Sequence, residues 1–184
     1  MFVSIIVPSY NHAQFLEERI ESILNQDFHN FEVILLDDLS PDNSEKIKKK
    51  YQNHPKVSHC IINEKNSGST FYQWNKGIDL AKGELIWIAE SDDVADPQFL
   101  TKLVPKFDQN PDLVLAYSQS YRMNAQGEVT GTWKDCTDSS DSELFTRDFE
   151  LSGLEYFEKF LKTGNTIPNA SGVIFKKQTY LDVG

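Results

Sequence analysis

Apolar residues recur along this chain in two alternating rhythms. Short unbroken runs, Phe2 to Val7, Phe31 to Leu36, Val57 to Ile62, Leu85 to Ala89 and Leu113 to Ser118, read as buried strands. Between the first two, Phe15, Leu16, Ile20, Ile23 and Leu24 recur at helical spacing. Ser44 is suited to cap a second helix running to about Tyr51, and Thr70 to Ala81 makes a third, closed by Lys82-Gly83. Asp96-Pro97 opens a fourth that ends near Asn110-Pro111. Strand and helix in alternation predict βαβ units with right-handed crossovers, hence an α/β fold around a mostly parallel sheet.

Beyond Ser118 the alternation breaks. Tyr121 to Trp133 holds Asn124-Ala125-Gln126-Gly127, a hairpin turn, and Asp135 to Glu143 is polar and acidic, reading as a solvated loop. Ser152 to Leu161 predicts a short helix and Ala170 to Phe175 a late strand. The 184 residues are enough for one domain with a sizeable core, so a single domain over 1–184 is expected.

Charge narrows the function classes. A net charge of −10 argues against a nucleic-acid or anionic-membrane surface, which needs clustered Lys and Arg. The densest basic stretch, Lys46 to Lys50, falls on a predicted helix and is expected to be a solvated face. Cys60 in a strand-like run and Cys136 in a polar loop make no disulfide framework, which fits a reducing cytoplasm. No apolar run approaches the ~20 residues that span a bilayer.

Two acidic clusters each close a predicted strand: Asp37-Asp38, and Glu90-Ser91-Asp92-Asp93. In a parallel α/β sheet the strand ends share one rim, where ligands bind. Crowded carboxylates repel unless a cation joins them, and hard oxygen ligands suit Mg²⁺ or Mn²⁺ escorting a phosphorylated substrate. The bland alternative stays open: Asp is common in turns after strands and complements helix dipoles.

The motifs carry the reading further. Val3-Ser4-Ile5-Ile6-Val7-Pro8-Ser9-Tyr10-Asn11, Val33-Ile34-Leu35-Leu36-Asp37-Asp38-Leu39-Ser40-Pro41-Asp42, Asn66-Ser67-Gly68, Asn75-Lys76-Gly77 and Gly83-Glu84-Leu85-Ile86-Trp87-Ile88-Ala89-Glu90-Ser91-Asp92-Asp93, in this order, resemble the family 2 glycosyltransferases of the GT-A fold. The resemblance implies a Rossmann-like three-layer α/β/α nucleotide-diphospho-sugar transferase. Residues 1–118 would be its nucleotide-sugar-binding half and 119–184 the start of its acceptor side. It implies a nucleotide-sugar donor, usually a UDP-sugar, a saccharide or glycoconjugate acceptor, a divalent Mn²⁺ or Mg²⁺, and transfer with inversion. The family's usual setting is polysaccharide and cell-envelope synthesis in the cytoplasm, with attachment to the inner membrane face through other regions or partners.

Position by position, the resemblance places Pro8 and Tyr10 in a base pocket, with the Tyr10 ring on the base and Asp38 accepting from its edge. An aromatic face stacks on a nucleobase and a carboxylate accepts a ring N–H, so the residue types suit the roles. Asn11, Asn66, Gly68, Asn75, Glu90, Ser91 and Asp93 complete the implied donor-binding set. Glu90-Ser91-Asp92 stands where the family has Asp-any-Asp, which makes Asp92 the metal ligand. The metal would neutralise charge on the leaving diphosphate, and a carboxylate would take the acceptor proton.

Three departures qualify the match. Leu39 replaces a common Gly, Trp74 a frequent Arg, and Glu90 an Asp. Gly68 and the helix after Ser69-Thr70 could offer backbone N–H groups instead, and His12 is expected to face solvent. Asn169-Ala170-Ser171-Gly172-Val173-Ile174-Phe175-Lys176-Lys177 resembles the late strand that leads to the family's catalytic base, so the base is expected beyond Gly184, on a longer chain. Other readings stay open. A nucleotidyltransferase needs a Gly-rich loop after the first strand, and Pro8-Ser9-Tyr10-Asn11 has no glycine. A receiver-like module needs a strand-end Lys, which is absent from the predicted strand ends. A non-catalytic nucleotide-sugar-binding relic would also explain Glu90 and Trp74.

Overall fold

The computed structural model describes residues 1–138, 140–141 and 143–183. Each of the five apolar runs forms a strand. In chain order these are β1 (Val3–Ser9), α1 (Ala13–Leu24), β2 (Phe31–Asp37), α2 (Ser44–Tyr51), β3 (Val57–Ile62), α3 (Thr70–Leu80), β4 (Leu85–Ile88), α4 (Phe99–Gln109) and β5 (Leu115–Tyr117). Then come β6 (Tyr121–Met123), β7 (Val129–Thr132), α5 (Lys134–Thr137), α6 (Gly153–Tyr156), β8 (Val173–Lys176) and α7 (Lys177–Val183). The main sheet has the order β3-β2-β1-β4-β8-β5. Its first four strands are mutually parallel, and β8 runs antiparallel to β4.

The chain packs as two compact units, Met1–Ala116 together with the chain from Val173 onward, and Tyr117–Gly172. The late strand β8 lies in the first unit's sheet. In that unit β1 and β2 are buried along their whole lengths. Val3, Ile5, Val7, Val33, Leu35 and Trp87 join Leu16, Ile20 and Ile23 of α1 and Leu100, Val104 and Phe107 of α4 in one core. The alternate residue Ile6 faces α3, where a Cβ on Gly77 would lie 2.4 Å from its Cγ2. Only glycine lets the helix backbone come that close.

Several boundaries differ from the sequence reading. The fourth helix starts at Phe99 rather than Asp96, because the Asp96 Oδ1 accepts the Gln98 N–H and its carbonyl accepts the Phe99 N–H, closing a turn before the helix. Ser44 is the buried first residue of α2, preceded by Asn43, and Asp42 instead takes the Ser44 and Ala13 N–H groups. Residues 170–172 form a 3-10 turn ahead of β8.

In the second unit β6 and β7 form the expected hairpin, with Asn124 Oδ1 accepting from Gln126 N and Glu128 N, and Gly127 at φ 80°. Phe145, Phe149, Tyr156 and Phe160 form an aromatic cluster, edge to face at Phe145–Phe149 and Tyr156–Phe160 and tilted at Phe145–Phe160. The predicted 152–161 helix divides into α6, closed at its start by a Ser152–Glu155 capping box, and a π-helical segment, Phe157–Leu161. Of the acidic 135–143 stretch, expected as a solvated loop, residues 135–137 belong to α5; Ser139 and Ser142 lie outside the described residues, as do the Cys136 side chain and Gly184. Cys60 is a free thiol. Among the described residues no helix is long and apolar enough to cross a membrane.

Candidate functional site

Because β1 to β4 are parallel, their C-terminal ends share one rim. Tyr10–His12 follow β1, Asp38–Ser40 follow β2, Asn63–Ser69 follow β3 and Glu90–Asp93 follow β4. Pro8 lies within β1, buried, opposite Leu36. Its missing N–H breaks no ladder, since it shares the orientation of Ile6, whose carbonyl is met by Ala89 at the end of β4. Tyr10 is 49% exposed, an aromatic face open at the rim. Asn11 beside it has φ 58° and donates its N–H to Ser40 Oγ at 3.0 Å, tying the first two loops together.

Asp38 is buried and fully engaged. Its Oδ1 accepts from Asn63 Nδ2 (2.7 Å), Ser67 N (2.9 Å) and Gln73 Nε2 (2.9 Å), and its Oδ2 from Ser67 N (3.0 Å) and Ser67 Oγ (2.8 Å). Asn66 Nδ2 donates to the Asp38 carbonyl, and Asn66 Oδ1 accepts from Gly68 N, which sits at φ 78°. The aspartate thus folds the whole β3–α3 loop around itself. Four donors fill a carboxylate's capacity, so an incoming N–H must displace one. The Ser67 hydroxyl is the donor with a second acceptor in place, the Ser69 carbonyl at 3.1 Å. Ser69 itself is the N-cap of α3, accepting from Phe71 N.

Asp37 serves a different purpose. It is 1% exposed and pairs at 3.0 Å with Lys48 of α2, which is 0% exposed and also donates to the Leu36 carbonyl at 2.6 Å and to Ser9 Oγ. The expectation of a solvated Lys46 to Lys50 face therefore fails at Lys48. The residue falls one helical turn after buried Ser44 and so points inward. Asp37 Oδ1 accepts from Ser40 N, completing a turn in which Leu39 takes φ 62°. That left-handed geometry favours glycine, and Leu39 meets it at a cost.

After β4, Trp74 Nε1 donates to Glu90 Oε1 at 2.7 Å, and Ser91 Oγ meets His12 Nδ1 at 2.8 Å. His12 is thus half-buried against the site rather than facing solvent, because its position just before α1 brings it beside the end of β4. Asp92 is exposed and Asp93 half-buried. Burial pushes the Glu90 carboxyl up to about 7; Asp92 and Asp93 add to the rise, while the Trp74 hydrogen bond and Arg19 oppose it. Arg19, 1% exposed, lies over the Trp87 ring with Cζ 5.0 Å from its centroid. Burial lowers its pKa to about 10, with Asp93, Glu90 and Asp92 holding it up, so it stays charged at neutral pH. The cluster thus has a buried cation within electrostatic reach.

Asn75 is exposed and accepts from the Tyr180 hydroxyl of α7 at 2.5 Å, whereas its neighbours Gln73 and Trp74 reach Asp38 and Glu90. Among the described residues no group of three or more His, Cys, Asp or Glu is gathered to hold a metal ion. Mg²⁺-type sites commonly use one or two carboxylates with water and substrate phosphates rather than a closed protein cage. Exposed Asp92, with Asp93 beside it, fits that donor set.

Sequence reasoning missed Arg19, Lys48, Asn63, Ser67 and Gln73. Two left a signal, since Arg19 lies on the Leu16–Ile20–Ile23 face of α1 and Lys48 one turn after Ser44. Asn63 and Ser67 are polar loop residues and Gln73 a polar residue of α3, and only the tertiary fold supplies their partners.

The family model described as glycosyl transferase family 2 matches residues 4–175. An uncharacterized glycosyltransferase of Methanocaldococcus jannaschii is 34% identical over 134 residues, 72% of this chain and 46% of that protein. The crystal structure of S. aureus TarS 1–349 in complex with UDP-GlcNAc aligns with TM-score 0.70 over 100% of this chain and 47% of that one, at 23% identity. The mannosyltransferase PcManGT from Pyrobaculum calidifontis, in complex with GDP-Man and Mn²⁺, aligns with TM-score 0.57 and 25% identity, covering 65% of this chain and 35% of that one. The chain therefore spans about a third to a half of the length of these proteins. Its α/β architecture is the GT-A fold.

Proposed function

Because the chain belongs to glycosyltransferase family 2, we propose that its rim binds a nucleotide-diphosphate sugar, a UDP-sugar, and passes the sugar with inversion to a saccharide or glycoconjugate acceptor. The observation that carries this is the convergence of an open aromatic face, a buried carboxylate and an exposed carboxylate on one rim, at Tyr10, Asp38 and Asp92. The UDP-GlcNAc of TarS and the GDP-Man of PcManGT support the donor class.

In this reading Tyr10 stacks on the base, with Pro8 beneath and Asn11 fixing the turn. Asp38 accepts the ring N–H as the Ser67 hydroxyl swings to the Ser69 carbonyl, so base binding exchanges one hydrogen bond for another. Asn66 and Gly68 shape the loop that holds Asp38 in place. Glu90, Ser91 and Asp93 set the strand end toward the ribose and diphosphate, and Asp92 holds the metal. A bound Mn²⁺ or Mg²⁺ would neutralise charge growing on the departing diphosphate. Arg19 lowers the mutual repulsion of the carboxylates that approach it.

Inversion requires the acceptor oxygen to attack the anomeric carbon opposite the diphosphate while a carboxylate takes its proton. We assign that base to residues following Gly184, consistent with the greater length of the matched proteins. A place at the cytoplasmic face of a membrane, making envelope polysaccharide, is the corresponding setting.

The test is calorimetric titration of UDP with and without Mn²⁺, on the wild type and on Asp92→Ala. Metal is expected to tighten UDP binding by at least tenfold in the wild type and not in Asp92→Ala. UDP binding that ignores metal, or is absent, would overturn the proposal.

A further inference from the structure

Two consecutive residues of α3 hold one carboxylate from each acidic cluster. Gln73 Nε2 donates to Asp38 and Trp74 Nε1 to Glu90, the latter at 2.7 Å. Neighbours on a helix point about 100° apart, so this pair naturally addresses two different strand ends. The helix carrying them is tightly seated. Gly77, one turn on, lets it press against Ile6 of β1, and Lys76 Nζ donates to Asn63 Oδ1 at 2.6 Å. The Trp74 ring is held edge to face by Phe71, with centroids 5.1 Å apart. Indole is a donor only, so its direction is fixed once the ring is packed.

On the other side of the rim, His12 holds Ser91. The segment that presents Asp92 is therefore gripped at its two preceding residues, while Asp92 itself reaches solvent. We propose that Trp74 is a positioning residue: through Glu90 it fixes the loop that presents Asp92, and α3 sets the spacing between the base end and the diphosphate end of the site. This rests on the donor-binding reading above. It assigns one cause to two departures from the family pattern, because a glutamate is long enough to meet the indole and a tryptophan supplies the N–H that holds it.

Trp74→Phe keeps the ring and its contact with Phe71 but removes the donor. By calorimetry, the tightening of UDP binding by Mn²⁺ should fall about tenfold in this variant, as the loss of a hydrogen bond to a charged group implies, while UDP affinity without metal stays unchanged. In a Glu90→Ala background the same substitution should change the metal-dependent tightening less than twofold, because the partner is gone. Unaltered urea-unfolding midpoints establish that the variants are folded; a variant that does not fold is replaced by Trp74→Leu, which also lacks a hydrogen-bond donor.

Trp74→Phe that binds UDP with metal as the wild type does overturns the inference. So does equal weakening with and without metal, or the same cost in both backgrounds. A wild type lacking metal-dependent UDP binding overturns the donor reading itself, and the inference with it. That outcome is recognised before any variant is made.

Discussion

Replacing Lys48 by methionine should destabilise the fold far more than a lysine in a basic stretch suggests. Its ammonium group is 0% exposed and satisfies three acceptors, Asp37 Oδ2 at 3.0 Å, the Leu36 carbonyl at 2.6 Å and Ser9 Oγ. Burial lowers the Lys48 pKa, while attraction to Asp37 and its hydrogen bond work against that drop. Methionine fills a similar volume, so the packing term is small. What remains is a carboxylate that is 1% exposed and keeps only Ser40 N at 2.6 Å and Ser9 Oγ at 3.3 Å. Breaking a buried pair in this way costs about 3 to 5 kcal/mol. With a urea dependence of about 2 kcal/mol per molar for a chain of this size, the unfolding midpoint should fall by roughly 1.5 to 2.5 M. Asp37→Asn in the same background should recover part of the loss, because it removes the stranded charge. A loss below about 1 kcal/mol, as for an exposed lysine, would refute the reasoning, and so would strictly additive effects of the two substitutions.

Two further outcomes follow, one at the rim and one at the opposite, N-terminal end of the strands. Leu39→Gly should raise stability by about 0.5 to 1 kcal/mol in urea, since φ 62° strains leucine but not glycine and the side chain is 46% exposed; an unchanged or lowered midpoint would mean that the turn carries no strain. Burial pushes the Glu32 carboxyl up, but hydrogen bonds from Ser4, Ser58 and the Lys82 N–H outweigh it and leave the pKa below its ordinary 4.5. The folded state thus binds fewer protons there, and the stabilisation is present above pH 4.5 and lost as pH falls through the lower folded value. Glu32→Gln should cost about 1 kcal/mol at pH 7, with the gap to wild type closing toward pH 3; a gap independent of pH counts against this account.

The part of the fold set by one-dimensional pattern was legible before any coordinates. Seven-residue runs such as Val3–Ser9 and Phe31–Asp37 are buried throughout, and a strand covered on both faces must be apolar nearly throughout its length. The hairpin around Gly127 was equally plain, because its turn demands particular residues. What stayed hidden depends on residues far apart in sequence. Asp37 and Asp38 look alike as letters, yet one closes an ion pair with α2 while the other organises the loop before α3. The antiparallel course of β8 was unreadable too, since four residues between a 3-10 turn and a helix carry no mark of direction.

That late strand governs when the sheet can be finished. β8 lies between β4 and β5, and its Lys176 pairs with Leu85, roughly ninety residues earlier. Until it arrives, the four parallel strands have an open flank at Leu85–Ile88, an apolar edge of the kind that invites pairing with another chain. During synthesis that flank waits while the intervening residues 117–172 are made. Shortening the chain to end before Val173 would make the wait permanent, and the product would aggregate even though every residue of the rim remained in place.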